Sequence, residues 1–218
     1  MITISAFKWV PPFAQGLVRD LRARWALEEA GLPYQANLID GDIQKTAEYR
    51  ASQPFGQVPM FEEDGFVLFE SGSILLHIGA RSEALLPADP DARARAITWV
   101  FAALNSVEPF VQQLAEIDLF HADRDWAKER RPGVEKSVQQ RLKELAAALG
   151  GRDHLEGRFT AGDLMMTAVL RILRHTDLVK AEPKLAAYQA RCEARPAFQR
   201  ALAAQLAAFE KRRWAHCV

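Results

Sequence analysis

Two short stretches of this 218-residue chain hold residue types whose spacing points to binding chemistry: Pro54-Phe55-Gly56-Gln57-Val58-Pro59 and, shortly after, Phe69-Glu70-Ser71-Gly72-Ser73. In the first, an X-Pro bond falls at the start of a strand, where proline has no N–H to give to a sheet. A cis Val58–Pro59 bond would turn the Val58 backbone outward, offering its N–H and C=O to an extended peptide. The plainer alternative is that Pro59 only opens an edge strand. In the second stretch Ser71 stands at a strand-to-helix junction, where an N-cap belongs. The free N–H groups and positive dipole end of that helix favour a carboxylate, while Glu70 beside them can accept from an ammonium group. Together they can hold an α-amino acid by both charged groups; the plainer reading is a serine that caps its helix and nothing more.

The elements that must position these residues fall into two rhythms. Up to about residue 80, short β-type runs alternate with helical segments in the order βαβαββα, the pattern of a mixed sheet covered by helices. Ile2 to Lys8 reads as a strand. Leu17 to Ala30 reads as a helix with Leu17, Val18, Leu21, Trp25 and Leu27 on its apolar face, stopped by Gly31. Tyr34 to Ile39 is a second strand. A short helix near Lys45 to Ala51 leads to strands at Val58 to Glu62 and Phe66 to Phe69, joined by a turn at Glu63-Asp64-Gly65, and Ser71 to Ala80 is the closing helix.

After the proline-bearing stretch Arg81 to Asp91, strand signals stop and helical periodicity continues to the end. Ile97, Val100, Phe101 and Leu104 mark one amphipathic helix, Val138, Leu142, Leu145 and Leu149 a second, and Phe198, Leu202, Leu206 and Phe209 a third. Leu164 to Leu173 is apolar on nearly every side, so it belongs in the middle of a bundle. Thr160 and Asp163 have the spacing of a capping box and are assigned to folding. The expected domains are residues 1–82, an α/β unit, and 90–218, all helical.

The composition closes off other classes. Twenty-eight basic and 28 acidic side chains leave no formal net charge, which removes the basic excess of a nucleic-acid binder, and 49% hydrophobic residues exclude a disordered regulator. No window approaches the length of a membrane span and no secretory signal opens the chain, so a cytoplasmic location is expected. Cys192 and Cys217 form no CxxC and read as incidental thiols. The five histidines show no metal-ligand spacing, so neither a metal nor a permanently bound cofactor is expected.

Gln57-Val58-Pro59 followed by Glu70-Ser71 in a βαβαββα half, then an all-helical half, resembles the cytosolic glutathione transferases. Trp25-Ala26-Leu27-Glu28-Glu29-Ala30-Gly31-Leu32-Pro33-Tyr34, the segment Lys45 to Tyr49, and Phe159-Thr160-Ala161-Gly162-Asp163-Leu164 extend that resemblance over essentially the whole chain. It implies a thioredoxin-like first half with a cis-proline at Pro59. It also implies that the Val58 backbone pairs with the cysteinyl part of glutathione, that Glu70 and Ser71 hold its γ-glutamyl end, and that Lys45 and Gln57 meet its glycyl end or nearby backbone. A capping box like that of Thr160 and Asp163 opens the central helix of the family's C-terminal domain.

The chain departs from the family after the first strand, where a tyrosine, serine or cysteine usually activates the thiol. Here Trp9-Val10-Pro11-Pro12-Phe13-Ala14-Gln15-Gly16 carries neither hydroxyl nor thiol. The Gln15 amide, backbone N–H groups near Leu17, or the charge of Arg19 or Arg22 are the candidate substitutes, with Gln15 preferred; for both arginines a solvated helix face is the plainer reading. Trp9, Phe13, Phe101 and Asn105 are candidate lining for the pocket of the second, electrophilic substrate, with Glu108 and Phe110 as further contributors and Trp214 as a lid. The expected activity is addition of the glutathione thiolate to a small hydrophobic electrophile, in a detoxifying transferase that acts as a homodimer. A glutathione-binding protein with little turnover, or a glutathione-dependent disulfide reductase or peroxidase, is the alternative.

Overall fold

The structure, a computed structural model, describes residues 1–210. Trp214, Lys211, Arg212, Arg213, His216 and Cys217 lie outside the described residues. The chain divides into two compact units, the first formed by Met1–Leu85 with the described chain from Arg195 on, the second by Leu86–Ala194.

In the first unit the expected order holds: β1 (Ile2–Phe7), α1 (Asp20–Ala30), β2 (Tyr34–Ile39), α2 (Ala47–Ser52), β3 (Phe61–Glu63), β4 (Phe66–Leu68) and α3 (Ser71–Gly79). The strands lie in the order β2-β1-β3-β4, with β2 parallel to β1 and the other pairs antiparallel. This is the thioredoxin-like mixed sheet. Its central strand β1 is flanked on both edges, and Ile2, Ile4, Ser5 and Ala6 are all buried. The β3–β4 turn has positive φ at Asp64 and Gly65, the combination that matches the twist of a tight hairpin. Gly31 sits in the left-handed region at the C-cap of α1.

Three local expectations shift. Helix α1 begins at Asp20 rather than Leu17, because residues 12–14 form a 3₁₀ turn and Gly16, at φ 79°, breaks the run before it becomes helical. Strand β3 begins at Phe61, since Val58 and Pro59 form a bend of their own. Helix α2 is preceded by a 3₁₀ turn at Ile43–Lys45 and capped by Thr46, whose Oγ1 accepts from the Tyr49 amide.

The second unit contains α4 (Pro90–Phe101), a π-helical stretch at Ala102–Val107, α5 (Glu108–Phe120), α6 (Asp125–Leu149), α7 (Ala161–Leu170) with a 3₁₀ continuation to His175, and α8 (Pro183–Glu193). As its all-round apolar sequence requires, α7 is buried along nearly its whole length. Asp163 Oδ2 accepts from the Thr160 amide at 2.9 Å and Thr160 Oγ1 from the Gly162 amide at 3.2 Å, so amides that water cannot reach are satisfied inside the box. Tyr188 Oη and the Leu155 amide donate to the other Asp163 oxygen. Gly162 lets α7 press on α4: a Cβ there would lie 2.5 Å from the Trp99 Cβ.

The helix α9 (Pro196–Glu210) corrects the expected 90–218 domain. It packs against α1 and belongs to the first unit. Its periodicity marks an apolar face but not that face's partner, which is supplied here by Trp25, in edge-to-face contact with Phe198 at 4.8 Å. Arg195 forks onto Glu29 at 2.6 and 2.8 Å, and Gln205 donates to the buried Asp20 at 2.6 Å. That buried position belongs to Gln205, with Leu202 and Leu206 beside it only half-buried.

Candidate functional site

The site is built at the ends of β1, α2 and α3. The Val58–Pro59 bond is cis. On either side of it the backbone is tied to the sheet: Ser5 N–H donates to the Met60 carbonyl at 2.8 Å, and the Met60 amide donates to Ser5 Oγ at 2.7 Å. The Tyr49 hydroxyl donates to the Gln57 carbonyl at 2.7 Å and lies 2.8 Å from Ser5 Oγ. Because the tyrosine hydrogen is given to Gln57, Ser5 is the donor to Tyr49. The four groups form one directed chain from Met60 N–H through Ser5 and Tyr49 to Gln57. Burial pushes the Tyr49 phenol above its usual range, keeping it a neutral donor. Gly56, at φ 60°, completes the bend, and a Cβ there would come within 2.9 Å of the Gln44 carbonyl. Among the described residues nothing hydrogen-bonds to the backbone of Val58 itself.

At the junction into α3, Glu70 takes the N-cap place with φ 69° and ψ 117°, its carbonyl accepting from the Ile74 amide. Ser71 is therefore the first helical residue and not the cap, which corrects the sequence expectation. Its side chain does not turn back on the helix because Arg22 Nη1, from α1, donates to Ser71 Oγ at 3.1 Å. Arg22 is 3% exposed, so the solvated-face reading fails for it. The Glu70 carboxylate is exposed and has no partner among the described residues. Lys45 is exposed at the end of its 3₁₀ turn, 4.0 Å from Asp42, and Gln57 is exposed beside the cis bond.

The loop after β1 is ordered by its own atoms. Gln15 Nε2 donates to the Val10 carbonyl at 3.1 Å, which closes the 3₁₀ turn at Pro12–Ala14. Trp9 and Phe13 are 48% and 40% exposed. Trp9 lines an open cleft of about 290 Å³ with Phe7, Val10, Pro11 and the ion pair of Lys8 with Asp40 at 2.9 Å. That lysine is the main reason the Asp40 carboxyl is lowered to about 2. Phe101 and Asn105 belong to the second unit: Phe101 ends α4, and Asn105 lies in the π-helical stretch. Both are exposed, whereas Ala96, Val100, Ala103 and Val107 form the buried stripe. Among the described residues no group of histidine, cysteine and carboxylate side chains could hold a metal ion, and no helix is long and apolar enough to cross a membrane.

Sequence reasoning weighed Arg22 only as a charge for the thiol, and it passed over Ser5 and Tyr49. The buried alternation of β1 is the signal that could have singled out Ser5, a lone hydroxyl in an apolar strand.

A thioredoxin-like sheet with a cis-proline bend, an acidic residue and a serine opening the next helix, and a separate helical unit define the architecture of a glutathione transferase. Comparison with known proteins agrees: residues 15–80 match the family described as Glutathione S-transferase, N-terminal domain. It is 28% identical over 207 residues to Glutathione S-transferase 4 of Zea mays, covering 89% of each chain. Among solved structures it is similar to a glutathione transferase from Burkholderia graminis with two glutathione molecules bound per subunit (25% identity, TM-score 0.80, 92% of this chain and 87% of that one). It is also similar to the theta class enzyme of Xanthomonas axonopodis pv. citri with glutathione bound (28% identity, TM-score 0.76, 92% and 96%). A further relative is human elongation factor 1-gamma, 29% identical over 134 residues, of which the match covers 29%.

Proposed function

We propose that the chain binds glutathione along Val58, Glu70 and Ser71, with Lys45 and Gln57 toward the glycyl end, and adds its thiolate to small hydrophobic electrophiles. In that step the sulfur forms a bond to an electrophilic carbon, and a leaving group such as chloride departs with the bonding electrons. The observation that carries the reading is a set of unspent groups in the first unit: the Val58 N–H and C=O, the Glu70 carboxylate, and the first amides of α3. A backbone donor and acceptor suit a peptide bond, an amide-rich helix start suits a carboxylate, and Glu70 suits an ammonium group. The glutathione-bound relatives support it.

Trp9 and Phe13 of the first unit are the residues proposed to meet the electrophile, and Gln15 is the proposed partner of the thiol. A cytoplasmic, homodimeric, detoxifying enzyme completes the reading. One observation favours a second reading, a glutathione binder with little turnover: the loop from Trp9 to Gly16 has no hydroxyl or thiol, and the Gln15 amide is already engaged with Val10.

Retention on immobilised glutathione, combined with turnover of a chloronitrobenzene acceptor, separates the two. Retention with turnover is expected. Retention without turnover selects the binder, and no retention, or full retention by Ser71→Ala, overturns the site.

A further inference from the structure

We propose that His175 is a proton-dependent latch in the second unit: with both ring nitrogens protonated it closes the 3₁₀ turn that extends α7 and ties it to α5, and loss of one proton releases one of these two contacts. Both nitrogens face oxygens that only accept. Nδ1 lies 3.0 Å from the Ile172 carbonyl and Nε2 lies 3.2 Å from Asp118 Oδ2. A carbonyl has no hydrogen to give. Asp118 has none either, because Arg131 of α6 forks onto both of its oxygens, with Nε 2.6 Å from Oδ1 and Nη2 3.1 Å from Oδ2. A neutral imidazole carries one N–H and one lone pair, so it satisfies one of the two oxygens and repels the other, whereas the imidazolium satisfies both. The His175 and Asp118 side chains are 17% and 14% exposed, which leaves little room for water to replace the lost bond.

The surroundings make the ring's proton the variable part of the cluster. α5 faces it with Asp118, and α6 with Arg131, whose Nη1 also pairs with Glu135. On the turn itself Arg171 pairs with Glu193 of α8 at 3.0 Å, and Arg174 stands beside Arg171. Asp177, on the rim of an open cleft of about 340 Å³ next to the ring, is held by Lys180 at 2.8 Å. Carboxylates, lysine and arginine ordinarily keep their charge between about pH 5 and 8, and histidine changes its charge there. What the ring does is passed on in two directions. Asp118 anchors Arg131, the residue before Pro132, where α6 lacks a backbone N–H. Beyond the ring, Thr176 Oγ1 donates to the Leu173 carbonyl at 2.9 Å and accepts from the Leu178 amide at 3.3 Å, so the connection toward α8 is built on the same turn.

The test combines nitrogen NMR of the histidine rings in the full chain with amide hydrogen exchange, both followed from about pH 5 to 8. As His175 loses one proton, protection of the amides at residues 173–178, corrected for intrinsic exchange rates, is expected to fall about tenfold, with the same midpoint as the ring. His175→Gln keeps an N–H for Asp118 and cannot titrate, so its protection should change by less than about twofold over that range. His121→Gln, which removes the histidine near Glu116 at the end of α5, should leave the wild-type response intact. A His175 ring that titrates without any change in the turn, or a response that persists in His175→Gln or vanishes in His121→Gln, overturns the latch. If His175→Gln does not fold, the wild-type chain decides alone, and different midpoints for ring and turn overturn it.

Discussion

The directed chain Met60–Ser5–Tyr49–Gln57 places its last acceptor one residue before Val58, so the phenol of Tyr49 holds the very carbonyl from which the candidate binding backbone departs. Tyr49→Phe removes that donor and leaves Ser5 without its acceptor. We expect it to cost about 1 kcal/mol of stability in denaturant melts and to weaken glutathione binding by calorimetry; unchanged binding would show that the bend holds without it. Asp40 gives a pH-dependent counterpart. Its folded-state pKa of about 2 lies below the ordinary 3.8, chiefly through the hydrogen bond from Lys8, so the carboxylate favours the folded state above pH 4 and loses that contribution as the pH falls toward 2. Asp40→Asn should therefore flatten the fall of melting temperature between pH 4 and pH 2 relative to wild type, and identical acid limbs would count against the pairing. The bend at Val58–Pro59 and the strand-to-helix junction at Glu70 and Ser71 were legible from residue type, although the cap place fell to Glu70 and not to Ser71. Arg22 and Tyr49 were not, because a lone arginine or tyrosine on a helix looks the same in sequence whether it faces water or a hydroxyl that arrives forty or more residues away.

At the scale of elements, periodicity located the strands and most of the helices, since a stripe of Val138, Leu142, Leu145 and Leu149 leaves little other choice, but it set apart neither α5 nor α8. It also missed changes of backbone type without a local signature. The π-helical stretch from Ala102 to Val107 carries the buried stripe of α4 on to Val111 and Leu114 while leaving Phe101 in solvent, although its spacing had placed Phe101 on the apolar face. The Thr160-Ala161-Gly162-Asp163 turn gives the element-level predictions. Thr160→Ala removes a cap from a helix whose amides cannot reach water, costing about 1 kcal/mol, and an unchanged melting temperature would refute the role. Gly162→Ala drives a methyl to 2.5 Å from the Trp99 Cβ, so α4 and α7 must separate; overpacking of this kind costs about 1–3 kcal/mol, and denaturant melts read it directly.

On the scale of the whole molecule, the helix that the sequence assigned to the second domain is part of the first. Trp25 of α1 is fully buried, with Phe198 against its edge, and Arg195 and Arg200 reach Glu29 and Glu28. Phe198→Ala should cost about 3–5 kcal/mol. By hydrogen exchange the loss should appear first in the amides of α1 and α9, with α7 still protected; equal deprotection of α7 would mean that the two units unfold as one. The return of α9 also fixes an order of events on the ribosome. Residues 86–194, which intervene between the two parts of the first unit, are 109 in number, and at about 5–20 residues per second they take roughly 5–20 s to make. Throughout that interval the nascent sheet and α1 exist without the helix that covers Trp25, and the helical unit encoded after them is fully synthesised before that helix is made. The part of the chain translated first is thus the part that finishes last.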